Sequence, residues 1–329
     1  MYLKSLAPLA LLCLAMGLAS CSSGSDEQVL DAAPSPAAST TPSVKRPGSA
    51  LSLPTSSPIV GPEPGNSKTI KLPSGRSFLL YLPENYDESK RWPVILGFHG
   101  WQETASMMFG YTNFEAAQAI TVFAQGQDKA WAPAPYATTS GEEDVDYVKD
   151  VIDALRATYS VDDEQIHAVG MSNGGGFAVY LSCHLPDVFQ SVASISAAYY
   201  TAIHDSCSDA PVGRLDMHGT DDPIVSYNGG TRHGAAYRSV QEVLAMDQKR
   251  NRCSDSAETT RLSNNSVRMQ WVGCAAPLEH IRIGGGSHVW PGGAYDRSNG
   301  LPAGFASDAV LDFFGIPGRV EGTGNSSNA

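Results

Sequence analysis

Apolar blocks recur through the middle of the chain and are punctuated by glycine, proline and short polar stretches. Residues 78–82 are apolar almost throughout and end at Pro83, which predicts a strand. Residues 94–98, behind Pro93, predict a buried strand, and 121–124 a third. Over 144–159 the apolar positions Val145, Val148, Ile152 and Leu155 fall at helical spacing, with acidic residues first, where the helix dipole favours them. Residues 166–170, 192–195 and 214–218 predict further strands, and 174–183, 236–250 and 305–314 predict helices. A hairpin-like pair is expected at 267–272 and 279–283. Continuous apolar strands alternating with helices predict an α/β fold, a mostly parallel central sheet with helices on both faces. No internal repeat is visible.

The ends of the chain read differently. Residues 1–20 carry one positive charge, Lys4, then an apolar run over 6–18, the shape of a secretory signal. The run ends in Leu18-Ala19-Ser20-Cys21, which resembles the lipobox of bacterial lipoproteins. That resemblance implies export, acylation of Cys21 and anchoring to the cell envelope by lipid. Residues 21–66 are dominated by Ser, Pro, Ala and Thr and are expected to form a tether without a core. Residues 319–329 are expected to be a frayed tail. The span 67–318 fits one catalytic-size domain.

Charge narrows the function. With 34 acidic against 22 basic residues the formal net charge is −12, the wrong sign for a nucleic-acid backbone or for an anionic lipid surface. No stretch after residue 20 is apolar for long enough to span a bilayer, so membrane contact is expected only through the lipid. A monomer is expected.

Beyond Cys13 and Cys21 four cysteines remain, Cys183, Cys207, Cys253 and Cys274. Three pairings are open to them, and the sequence does not choose. The preferred one is local, Cys183 with Cys207 and Cys253 with Cys274, each worth roughly 3 kcal/mol in the chain-entropy model. Metal-ligand spacings such as CxxC or HExxH are lacking, so no metal is expected.

The candidate chemistry lies where predicted strands end. Gly170-Met171-Ser172-Asn173-Gly174 matches G-x-S-x-G after a strand and before a helix, the setting of a nucleophile elbow with Ser172 raised above the sheet. Phe98-His99-Gly100-Trp101 ends another strand. The backbone N–H groups of Trp101 and Asn173 are the candidate oxyanion donors, and His99 is read as a structural residue of that loop. His218-Gly219-Thr220-Asp221-Asp222-Pro223 offers two carboxylates able to orient a histidine. His288, in a glycine-rich loop, completes the order Ser, Asp, His as a general base. His167, His184, His204, His233 and His280 are left as structural or surface residues.

The segments GMSNGG, FHG, HGTDDPIVSY and GGGSHVWPGG together resemble the esterase family that contains feruloyl esterases and polyhydroxybutyrate depolymerases. AQGQDKAWAPAPYATTSGEEDVDYV, AAYY at 197–200 and the stretch from His233 to Cys253 are most similar to type B feruloyl esterases. The resemblance implies an α/β-hydrolase fold and a triad of Ser172, Asp222 and His288, and so favours Asp222 over Asp221. It also fits the local cysteine pairings. Ser287 stands where many relatives have glycine, and no carbohydrate-binding module is visible.

The implied reaction is hydrolysis of hydroxycinnamoyl esters of plant cell-wall polysaccharide through an acyl-enzyme, with no cofactor. Polyhydroxybutyrate, acetylated xylan and small esters are alternative substrates, and a non-catalytic binding lipoprotein is the remaining reading. Trp131, Tyr136, Tyr199, Tyr200 and Trp290 are candidates for stacking an aromatic acyl group or a sugar.

Overall fold

The computed structural model describes residues 57–297 and 300–318. The expected signal, Cys21 and most of the tether lie outside the described residues, as does the tail.

Ten strands form one sheet in the order β1-β2-β4-β3-β5-β6-β7-β12-β11-β10. The strands are β1 (Ser67–Lys71), β2 (Ser77–Tyr81), β3 (Trp92–Phe98), β4 (Ile120–Ala124), β5 (Val161–Met171), β6 (Ser191–Ile195), β7 (Gly213–Gly219), β10 (Ala257–Arg261), β11 (Ser266–Trp271) and β12 (Leu278–Ile283). β4, β3, β5, β6, β7 and β12 run parallel, and antiparallel strands extend both edges. Pro93 cannot donate to the ladder, and the β3–β5 register shifts between Trp92 and Val94.

Strand alternation divides the core. Leu96 and Phe98 of β3 with Ile166 and Ala168 of β5 pack on one face, together with α2 (Gly141–Thr158) and α3 (Asn173–His184). Ile95, Val169 and Met171 pack on the other face with α1 (Ala105–Thr112) and α5 (Phe305–Phe314). A third cluster joins α4 (Val240–Arg250) to Tyr199, Tyr200 and Val225. Ser140 and Ser239 cap α2 and α4 in reciprocal boxes with Glu143 and Glu242.

Three expectations change. The helix predicted from residue 236 begins at Val240, because the preceding residues form a hairpin, β8 (Gly230–Arg232) with β9 (Ala235–Tyr237). Residues 57–66, assigned to the tether, are held to the domain: the Ile59 N–H donates to Thr158 Oγ1 at 2.9 Å and Gly65 N–H to Leu82 O at 2.9 Å. β1, α1 and β10 were not predicted, since β1 and β10 are mostly exposed and polar. The cysteines pair as Cys183–Cys207 and Cys253–Cys274, the local arrangement.

Candidate active site

Ser172 occupies the turn between β5 and α3 with φ 53° and ψ −117°. A serine there costs about 1–3 kcal/mol, so the surroundings must hold it. Its N–H donates to Ile195 O at 2.9 Å, and its carbonyl accepts from Ala198 N at 3.0 Å. A Cβ at Gly170 would overlap the Gly174 carbonyl, and one at Gly174 would overlap the carbonyl oxygens of Phe98 and His99. The two glycines of the motif therefore let α3 start directly against β3 and β5.

β7 and β12 are parallel neighbours, so the loops that follow them meet at the same sheet end. Asp221 N–H donates to Gly286 O at 3.1 Å and Gly285 N–H to Thr220 Oγ1 at 2.9 Å. This contact brings His288 between Asp222 and Ser172. His288 Nδ1 is 2.7 Å from Asp222 Oδ2, and His288 Nε2 is 2.9 Å from Ser172 Oγ. With the Nδ1 proton donated to Asp222, Nε2 is free to accept from the Ser172 hydroxyl.

Asp222 is buried and well bonded. Oδ1 accepts from the N–H groups of Ile224 and Val225 at 2.8 Å each. Oδ2 also faces His218 Nε2 at 3.4 Å, while that nitrogen donates to Val225 O at 3.0 Å. Burial opposes ionisation, but the hydrogen bonds from His218 and His288 outweigh it and hold the carboxyl well below the usual range. Asp221, by contrast, is exposed and accepts only from its neighbour Thr220 at 3.1 Å.

The loop after β3 runs beside the serine, for a Cβ at Gly100 would stand 3.6 Å from Ser172 Cβ. Glu103 shapes this loop: its Oε2 accepts from Gly100 N–H and from the Tyr111 hydroxyl, both at 2.9 Å. Among the described residues the amides of Trp101 and Asn173 donate to no protein acceptor. His99 is fully buried, with Nδ1 donating to Gly100 O at 2.8 Å and Nε2 accepting from Gly126 N at 3.0 Å. Burial pushes its pKa down to about 4, which suits a neutral structural histidine.

Ser172 and His288 open onto a cleft of about 320 Å³, also lined by Trp101, Glu103, Tyr136, Tyr200, Arg232 and His233. Trp101 packs on Tyr136 with ring centres 4.6 Å apart, and His233 meets both rings edge-on. Of the five predicted stacking residues the structure brings Tyr136 and Tyr200 to the cleft.

The other three do not line it. Trp131 is fully buried, stacked on Phe177 at 5.0 Å, with its indole N–H donated to His99 O at 3.0 Å. Its backbone N–H and carbonyl pair with the Asn173 side chain at 2.8 and 2.9 Å, so it braces the elbow from beneath. Tyr199 is buried in a network in which its hydroxyl meets Asp216 and Arg214. Trp290 lies in the α5-side core and donates to Ser307 Oγ at 3.1 Å.

Several functional neighbours were not read from the sequence. His218 was visible in the same HGTDD segment, four residues before Asp222, and β7 turns it toward that loop. His233, expected to be structural or on the surface, is exposed and lines the cleft. Among the described residues no group of three His, Cys, Asp or Glu side chains is placed to hold a metal ion.

A family model described as "Putative esterase" matches residues 70–272. The chain belongs to this esterase family. The esterase is 28% identical over 266 residues to a probable feruloyl esterase C of Aspergillus terreus, covering 77% of this chain and 89% of that one. It is 28% identical over 267 residues to feruloyl esterase C of Emericella nidulans, covering 78% and 90%. The solved acetyl xylan esterase from Aspergillus awamori superposes with a TM-score of 0.56 at 13% identity, over 76% of the esterase and 99% of that chain. That likeness shows the α/β-hydrolase fold. The chain is a serine carboxylic ester hydrolase.

Proposed function

We propose that this esterase releases hydroxycinnamic acids, ferulic acid among them, from esters of plant cell-wall polysaccharide. The observation that carries the reading is the aromatic wall of Trp101, Tyr136 and His233 beside Ser172 and His288, a surface that suits a planar aromatic acyl group. The names of its relatives from Aspergillus terreus and Emericella nidulans point the same way.

Ser172 attacks the ester carbonyl while His288 Nε2 takes its proton, across the 2.9 Å contact. Asp222 keeps His288 in the required tautomer and balances the imidazolium. The oxyanion is received by the amides of Asn173 and Trp101, neither of which is committed elsewhere in the described structure. His288 then protonates the departing alcohol, and the acyl-enzyme is opened by a water that gives its proton to Nε2. Glu103 serves by holding the Gly100–Trp101 loop in place.

The two disulfides belong to an oxidising compartment, which supports export. We extend this to a lipid anchor at Cys21, supported by the Leu18-Ala19-Ser20-Cys21 segment alone.

The test is hydrolysis of methyl ferulate followed by ultraviolet absorbance, with Ser172→Ala as control. Turnover by the wild type and a loss of roughly 10⁶-fold in the variant is expected. Turnover confined to acetylated xylan or hydroxybutyrate oligomers would overturn the substrate assignment.

A further inference from the structure

Arg232 is the one lysine or arginine among the described residues lining the cleft that holds Ser172 and His288. It is half-buried, and no carboxylate of the described residues lies within ion-pair distance of it. The carboxylate of Glu103 on the same cleft is already engaged by Gly100 N–H and the Tyr111 hydroxyl. The phenols of Tyr136 and Tyr200 line the same cleft. Burial raises the pKa of both Tyr136 and Tyr200, so these rings beside Arg232 stay neutral and supply no countercharge.

The backbone that carries Arg232 is held by its hairpin. Arg232 pairs with Ala235 across the β8–β9 hairpin. The two residues between them, His233 and Gly234, have φ of 52° and 75°, the signature of a tight two-residue hairpin turn. The base of the hairpin is pinned by the Arg238 N–H to Tyr199 O at 2.9 Å, by a bridge between Tyr237 and Tyr200, and by the Tyr237 hydroxyl accepting from Ser226 N at 3.0 Å. A planar cation at an aromatic cleft, with no ion-pair partner among the described residues, suits a carboxylate, which an arginine grips through two parallel hydrogen bonds.

We propose that the cleft selects esters that carry a second, free carboxylate, which docks on Arg232 while the ester carbonyl sits at Ser172. This rests on the reading of Ser172 and His288 as the hydrolytic pair. The carboxylate belongs either to the acyl half, as in a half-ester of an aromatic dicarboxylic acid, or to the alcohol half, as in an ester of a uronate-like hydroxy acid.

Two matched pairs of probes separate the sources. Methyl 4-carboxycinnamate against methyl cinnamate places the charge on the acyl half. The ferulate ester of glycolic acid against ethyl ferulate places it on the alcohol half. The ratio of kcat/KM, anionic over neutral, is measured at low salt for the wild type, Arg232→Lys and Arg232→Gln. We expect a ratio near ten in one pair for the wild type, a smaller one in Arg232→Lys, and one or below in Arg232→Gln. Equal ratios in wild type and Arg232→Gln, or a wild-type preference for the neutral ester in both pairs, overturn the proposal.

Calorimetric binding of the same esters to Ser172→Ala keeps the two readings apart. Tighter binding of the anionic ester, lost in Ser172→Ala combined with Arg232→Gln, supports the carboxylate site even where the wild type hydrolyses none of the probes, which would sink the hydroxycinnamoyl reading alone. Indifference of that binding to charge overturns the carboxylate site and leaves the reaction standing.

Discussion

His218 and His288 converge on a single oxygen of Asp222, the first at 3.4 Å and the second at 2.7 Å. The remaining oxygen is saturated by two backbone N–H groups. His218 in turn faces Asp222, Asp216, the Val225 carbonyl and the edge of the Tyr227 ring. Burial opposes its protonation, and the nearby carboxylates outweigh that and raise its pKa. His218 thus competes with His288 for the negative charge of Asp222. Replacing it by Asn removes one of the two histidines that face this oxygen, and kcat should fall about 10-fold as Asp222 loses a support, the worth of one hydrogen bond. Steady-state kinetics beside urea denaturation checks this: lower stability with kcat unchanged would leave His218 a merely structural residue.

The two adjacent aspartates separate cleanly by mutation. Asp222→Ala removes the partner of His288 and three further contacts, and should cost about 10⁴-fold in kcat. Asp221→Ala, at an exposed side chain bonded only to Thr220, should stay within a few-fold of wild type. Steady-state kinetics on any ester the protein turns over decides it, and the reverse order would reassign the acid.

Gly174→Ala tests the close approach of α3 to β3. The added methyl overlaps two carbonyl oxygens that belong to a strand end and cannot swing away. A loss of about 3 kcal/mol in urea denaturation, the upper range for overpacking, or failure to accumulate as soluble protein is expected. Wild-type stability in this variant would mean that the elbow is looser than drawn.

Stability should fall on the acid side well before the carboxylates titrate. Burial lowers the pKa of His99 to about 4 and of His167 to about 3, below the unfolded value near 6.5. The unfolded chain therefore binds protons that the folded chain refuses, and stability drops as pH falls from about 6.5 toward 4. His218, with its raised pKa, acts in the opposite sense, being lost as pH rises. Urea midpoints at pH 7 and pH 5 measure the net slope, and His167→Gln should flatten it. A slope unchanged by that substitution would show that His167 does not drive it.

The elbow, the acid loop and the histidine loop were legible because each follows a short apolar run and carries glycine where the backbone needs it. Ser172, Asp222 and His288 are close for a reason that strand order supplies, and the alternation of strands and helices made that order readable. Tryptophans were not so transparent. Trp101 and Trp131 both follow loop signals, yet one is partly exposed on the cleft and the other is sealed under Asn173. Local sequence reports a ring's size and leaves its direction to tertiary packing. The start of α4 was written in the Ser239–Glu242 spacing, which the longer run of polar and apolar residues masked. The cleft hairpin was hidden for a different reason: strands of three residues leave too few positions for an alternation to register.

The bond between Ser172 and His288 spans 116 positions of chain, and it depends on β12 finding its slot beside β7 after every other parallel strand has been made. A ribosome releases the nucleophile long before the base. Ester hydrolysis is then a late signal of assembly: in refolding, catalytic competence should trail the return of sheet signal, and nascent or truncated chains that stop before β12 would hold a formed elbow in a safely silent state.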